Sequence, residues 1–123
     1  SIKVLIARIN KILIKSSNRY YEKDVLKYNS LLINLKARDV IVEGKKIVLT
    51  FTEFEILKLL ASHSKWVYTR NEIINTIRGD DYIVTDRTID FQIVGLRKKM
   101  GPTGKYIKTV RGVGYRFDDD SGN

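Results

Sequence analysis

The chain has 123 residues, 43% hydrophobic and 30% charged, with a formal net charge of +9 and no cysteine. That is material for one core; it excludes disulfides and thiolate metal sites, and with His63 the only histidine it excludes zinc-finger chemistry as well. No metal or cofactor is expected, no apolar run approaches the ~20 residues that cross a bilayer, and the reducing, cytoplasmic setting that suits a cysteine-free chain is the expected one.

Residues 2 to 15 place Ile2, Leu5, Ile6, Ile9 and Leu13 at spacings of three and four, which predicts a helix with one apolar stripe. The stretch "SSNRYYEKD", residues 16 to 24, is polar and aperiodic and reads as a linker. A domain is expected from residue 25 to 118. Its first part holds the runs "LLINL", "DVIV" and "KIVL", the last two parted by Glu43-Gly44-Lys45, which predicts an antiparallel meander.

Two helix starts follow. Thr52 with Glu55, and Thr69 with Glu72, each have the spacing of a capping box, in which the Thr hydroxyl accepts from a free backbone N–H and the Glu reaches back to the cap. The first helix is expected to bury Phe54, Leu57, Leu60 and Ala61; the second is expected to bury Ile73, Ile74 and Ile77 and to close at Gly79. A third helix, capped by Thr85 or Asp86, turns Ile89, Ile93, Leu96 and Met100 inward and stops at Gly101-Pro102. "KYIKTV" and "GYRF" then flank Arg111-Gly112-Val113-Gly114, a predicted β-hairpin with glycines at its tip. Residues 119 to 123 are expected to be an acidic, disordered tail.

Residues 25 to 117 hold 17 basic and nine acidic side chains, and a surplus of that size on a small domain favours a polyanion or an acidic membrane surface. The third helix localises the charge. With its apolar stripe inward, the opposite face carries Arg87, Thr88, Phe91, Gln92, Gly95 and Lys98 or Lys99. Arg and Lys suit phosphates, and Phe suits thymine methyl groups in a major groove. Packed instead under the sheet or hairpin, Phe91 would say nothing of a partner; the basic cluster Arg97, Lys98 and Lys99 also suits a solvated helix end. Arg111, at the tip of a thin hairpin, fits a minor groove, whose negative potential deepens as it narrows.

Three stretches carry a resemblance: Leu49-Thr50-Phe51-Thr52-Glu53-Phe54-Glu55-Ile56-Leu57, then Asp86-Arg87-Thr88-Ile89-Asp90 through Leu96-Arg97-Lys98-Lys99, and Tyr106-Ile107 with Thr109-Val110-Arg111-Gly112-Val113-Gly114-Tyr115-Arg116-Phe117. Together they resemble the winged-helix effector domain of OmpR/PhoB-type response regulators, over about residues 25 to 117. The resemblance implies an α+β fold: a four-stranded antiparallel N-terminal sheet, a three-helix core with the third helix as reader, and a C-terminal hairpin as wing. It implies that residues 1 to 15 are the last helix of a preceding receiver domain, so that the chain is part of a two-component phosphorelay regulator. Arg87, Thr88 and Gln92 fall where the family contacts phosphates; Phe91, Gly95 and Arg97 fall where it meets bases; Thr109, Arg111, Gly112 and Tyr115 lie on the wing. Arg78 stands where Trp is usual, and Gly95 where a long basic side chain is common.

The expected function is sequence-specific binding of double-stranded promoter DNA to control transcription, with a homodimer on DNA and no enzymatic activity. The alternative is a protein-interaction module, in which the loop from Gly79 to Thr85, with Asp80, Asp81, Tyr82 and Ile83, touches RNA polymerase or a partner domain. A third reading lays residues 2 to 15 on a membrane surface; the resemblance to a receiver helix accounts for the stripe without one.

Overall fold

The structure, a computed structural model, describes residues 24–77 and 86–120, apart from the side chains of Asp86 and Arg87. The expected N-terminal helix and linker, the Gly79 closure, Arg78, and the loop with Asp80, Asp81, Tyr82 and Ile83 lie outside the described residues, as does the side chain of Arg87.

The meander is there as β1 (Val25–Tyr28), β2 (Leu31–Asn34), β3 (Asp39–Val42) and β4 (Lys45–Ile47), all antiparallel and in sequence order. The alternation of a strand facing a core on one side is plain. Leu31 lies opposite Val42 and Ile33 opposite Val40, and these four point into the core while their neighbours are partly exposed. Against that face lies α1 (Phe51–Ser62), followed by α2 (Arg70–Ile77) and α3 (Asp86–Met100). Phe54, Leu57, Leu60, Ala61, Ile73, Ile74, Ile77, Ile89, Ile93, Leu96 and Met100 all join the one core, as their spacing predicts.

The cap of α1 sits two residues earlier than expected. Thr50, not Thr52, accepts from the Glu53 N–H at 3.1 Å, and the Glu53 Oε1 accepts from the Thr50 N–H at 2.9 Å. Both pairs fit the capping-box spacing, and burial decides between them. Thr52 is sealed in the core, while Glu55 instead meets Arg38 at 2.6 Å. The second box is as read, with Thr69 and Glu72 bonded reciprocally at 3.1 and 2.8 Å.

The C-terminal hairpin, β6 (Ile107–Val110) and β7 (Gly114–Phe117), is one part of a three-stranded sheet rather than a free hairpin. A two-residue strand, β5 (Tyr68–Thr69), pairs with β7, so the sheet order is β5-β7-β6. This explains Gly114: a Cβ there would run into the Tyr68 carbonyl oxygen. Gly112 alone supplies the positive φ of the tip, at 76°. Between α3 and β6 the chain runs through a 3₁₀ helix, Gly101–Tyr106, which takes in Lys105 and Tyr106 of the expected strand "KYIKTV". The acidic end is held as far as residue 120, because Lys108 donates to the Asp120 carboxylate at 3.1 Å and Asp118 is half-buried.

Candidate nucleic-acid interface

Helix α3 has an inside, a crest and two flanks. Ile89, Ile93, Leu96 and Met100 are fully buried. Phe91, Val94 and Lys98, spaced by three and four and hence on one stripe, form the crest; Phe91 is 75% and Val94 57% exposed. Phe91 therefore does not pack beneath the sheet or the wing. Lys98 makes no hydrogen bond or ion pair among the described residues, while Thr88 and Gln92 are half-buried.

One flank is bound to the wing. Asp90 Oδ1 accepts from Arg70 Nε at 2.7 Å and from the Tyr115 hydroxyl at 2.6 Å. Seven residues on, the Arg97 guanidinium donates to the Ile107 carbonyl at 3.0 and 2.8 Å and to Thr109 Oγ1 at 2.8 Å. Both guanidinium groups approach the Tyr115 ring, at 5.4 Å for Arg70 and 5.7 Å for Arg97, a cation–π geometry. The Tyr115 hydroxyl bond, then the Arg70 bond, lower the Asp90 carboxyl below its ordinary value, and burial followed by the Asp90 carboxylate raises the Tyr115 phenol.

These contacts engage three of the expected site residues. Tyr115 is buried on the wing, with its hydroxyl committed to Asp90, and braces it. Arg97 is held by β6, so its donors face the wing and not the crest where bases were expected to meet it. Thr109, though exposed, already accepts from Arg97.

The other flank meets the start of α1. Lys99 Nζ lies 2.7 Å from Glu53 Oε1, and the Glu53 side chain is only 6% exposed. Burial raises the carboxyl, but the Lys99 ammonium and the two Thr50 donors outweigh it and hold Glu53 below the usual value. Gly95 belongs to this cluster. A Cβ at residue 95 would lie 3.0 Å from Glu53 Oε2, so the glycine leaves room for a buried carboxylate.

Beyond the flanks projects the tip of β6–β7, where Arg111, Gly112 and Val113 are exposed and the turn is closed by the Val113 N–H on the Val110 carbonyl at 2.9 Å. Arg111 has no hydrogen bond or ion pair among the described residues. Sequence reasoning missed Arg70, Asp90 and Glu53 as parts of this site. The available signal was an acid, Asp90, on a helix whose other charged residues after its first are basic.

The family described as "Transcriptional regulatory protein, C terminal" matches residues 44–117. The chain belongs to this family of transcriptional regulators, in its OmpR/PhoB branch. This OmpR/PhoB effector domain is 40% identical to the response regulator ArlR of Staphylococcus aureus (strain Mu50) over 116 residues, 93% of this chain and 51% of ArlR. It thus spans about half the length of the curated relatives it matches. The crystal structure of the response regulator DrrB, a Thermotoga maritima OmpR/PhoB homologue, superposes with a TM-score of 0.70 at 32% identity, covering 83% of this chain and 49% of DrrB. The Klebsiella pneumoniae RstA DNA-binding domain, crystallised in complex with the RstA box, gives 0.66 at 35% identity over 77% of this chain and 97% of that domain. In the OmpR/PhoB effector fold, α1 to α3 with the β6–β7 wing constitute the winged helix.

Proposed function

We propose that this effector domain binds a specific double-stranded promoter sequence, with the α3 crest in a major groove and Arg111 of the wing in the adjacent minor groove. One observation carries the reading. Lys98 on the crest and Arg111 at the tip are exposed and unpaired among the described residues, while the cations beside them are bonded to the protein. A cation left in water at each of two neighbouring projections suits phosphates on either side of a groove edge. Arg87 and Gln92 add to the same surface by family resemblance. The test is fluorescence anisotropy with DNA selected from a random library, titrated with salt. Each of Lys98→Ala and Arg111→Ala is expected to weaken binding and to flatten the log K against log salt slope by about 0.9, the value for one phosphate contact. Unchanged slopes for both variants would refute the groove assignment.

The remaining expectations concern the intact regulator: a receiver domain in the same chain, pairing of two copies on DNA, a cytoplasmic site of action, and contact of Asp80, Asp81, Tyr82 and Ile83 with RNA polymerase. They rest on the family resemblance. Half-site spacing in the selected DNA tests pairing, and a polymerase pull-down with Tyr82→Ala tests the loop.

A further inference from the structure

On both flanks of the α3 crest the packing commits the charged side chains to the protein. Arg97 is bonded to Ile107 and Thr109, Lys99 to Glu53, and Asp90 to Arg70 and Tyr115. Gly95 has no side chain, and a Cβ there would press on the Glu53 carboxylate at 3.0 Å. Of the described crest side chains, Phe91 and Val94 are apolar, and both are exposed large hydrophobic groups. Val113, 45% exposed at the wing tip, is a third apolar group on a projecting element. The major groove offers one apolar feature that varies with sequence, the 5-methyl group of thymine.

Resting on the DNA-binding reading above, we infer that Phe91 and Val94 determine specificity by packing against thymine 5-methyl groups, so that the operator half-site has A·T pairs under this part of the helix. Phe91 and Val94 are one turn apart, so their contacts fall within one or two successive base steps. The readout is then of methyl groups, with Lys98 supplying charge and little base information.

The test replaces each thymine of the selected operator in turn by deoxyuridine, which removes the methyl group and leaves every hydrogen-bonding group of the pair in place. Anisotropy is expected to show a loss of about fourfold at one or two thymines, the factor for burying one methyl-sized group, and less than twofold elsewhere. With Phe91→Ala the penalty at one of those thymines should disappear, and with Val94→Ala the penalty at its neighbour; circular dichroism confirms that both variants stay folded. A wild-type domain that binds its operator tightly yet is indifferent to every deoxyuridine overturns this inference and leaves DNA binding standing. Failure to select any DNA sequence overturns both.

Discussion

Arg97, Lys98 and Lys99 are consecutive, yet the helix turns each about 100° from the last and gives them three different fates. Arg97 braces the wing and Lys99 neutralises a buried glutamate. Only Lys98 is left in water. Along the fold, Arg38, Arg70 and Lys108 are likewise paired with Glu55, Asp90 and Asp120. A count of basic residues therefore overstates the charge left free in water, and the flanks of α3 belong to the architecture while its crest is exposed.

The largest expected effect separates Arg97 from its neighbour. Arg97→Ala removes three hydrogen bonds and strands the Ile107 carbonyl, which should cost roughly 2 kcal/mol and lower the thermal midpoint by on the order of 10 °C. Arg97→Lys should be nearly as damaging, because an ammonium cannot reproduce the planar fork. Lys98→Ala should stay within about 0.5 kcal/mol of the parent. If Arg97→Lys melts with the parent, the distinction between flank and crest breaks.

A smaller effect tests the acid that holds the same flank. Asp90→Asn should destabilise by about 1 kcal/mol, a modest figure because the Asp90 side chain is 47% exposed. The folded carboxyl lies below its ordinary 3.8, so its contribution is complete above that pH and is lost as pH falls through the folded value. Urea midpoints of parent and Asp90→Asn should differ at pH 7 and converge below pH 3.8; a gap that widens on acidification would contradict the bonding of Asp90 to Tyr115 and Arg70.

The smallest effect sharpens the opposite flank. Gly95→Ala should gain less than the roughly 1 kcal/mol that helix propensity allows, because the new Cβ would press on the Glu53 carboxylate. Combined with Glu53→Ala, the same change should recover the full gain. Additive behaviour in a double-mutant cycle of thermal unfolding would show that Gly95 and Glu53 are independent.

Much of this fold was legible because it rests on local rules. The core stripes of all three helices follow from spacing, and the Thr69–Glu72 box follows from one tetrad. What escaped depends on contacts between distant residues. Thr50 and Thr52 offer the same cap pattern, and only the burial of Thr52 chooses between them. The exposure of Phe91 follows from periodicity, whereas the commitment of Arg97 depends on where β6 lies, ten residues away through a 3₁₀ helix that the Gly-Pro stop signal did not reveal. The contact of Gly95 with Glu53, 42 residues earlier, is likewise a long-range one that local spacing does not show.

The two residues of β5 have a kinetic consequence. Tyr68 and Thr69 pair with Tyr115 and Gly114, so this contact closes a long stretch of chain, and such closures form slowly relative to local helices and turns. Thr69 is also the cap of α2. The wing is thus expected to dock late in folding, onto a helix whose start is already capped, and the Tyr115 amide should gain protection from hydrogen exchange after those of α1.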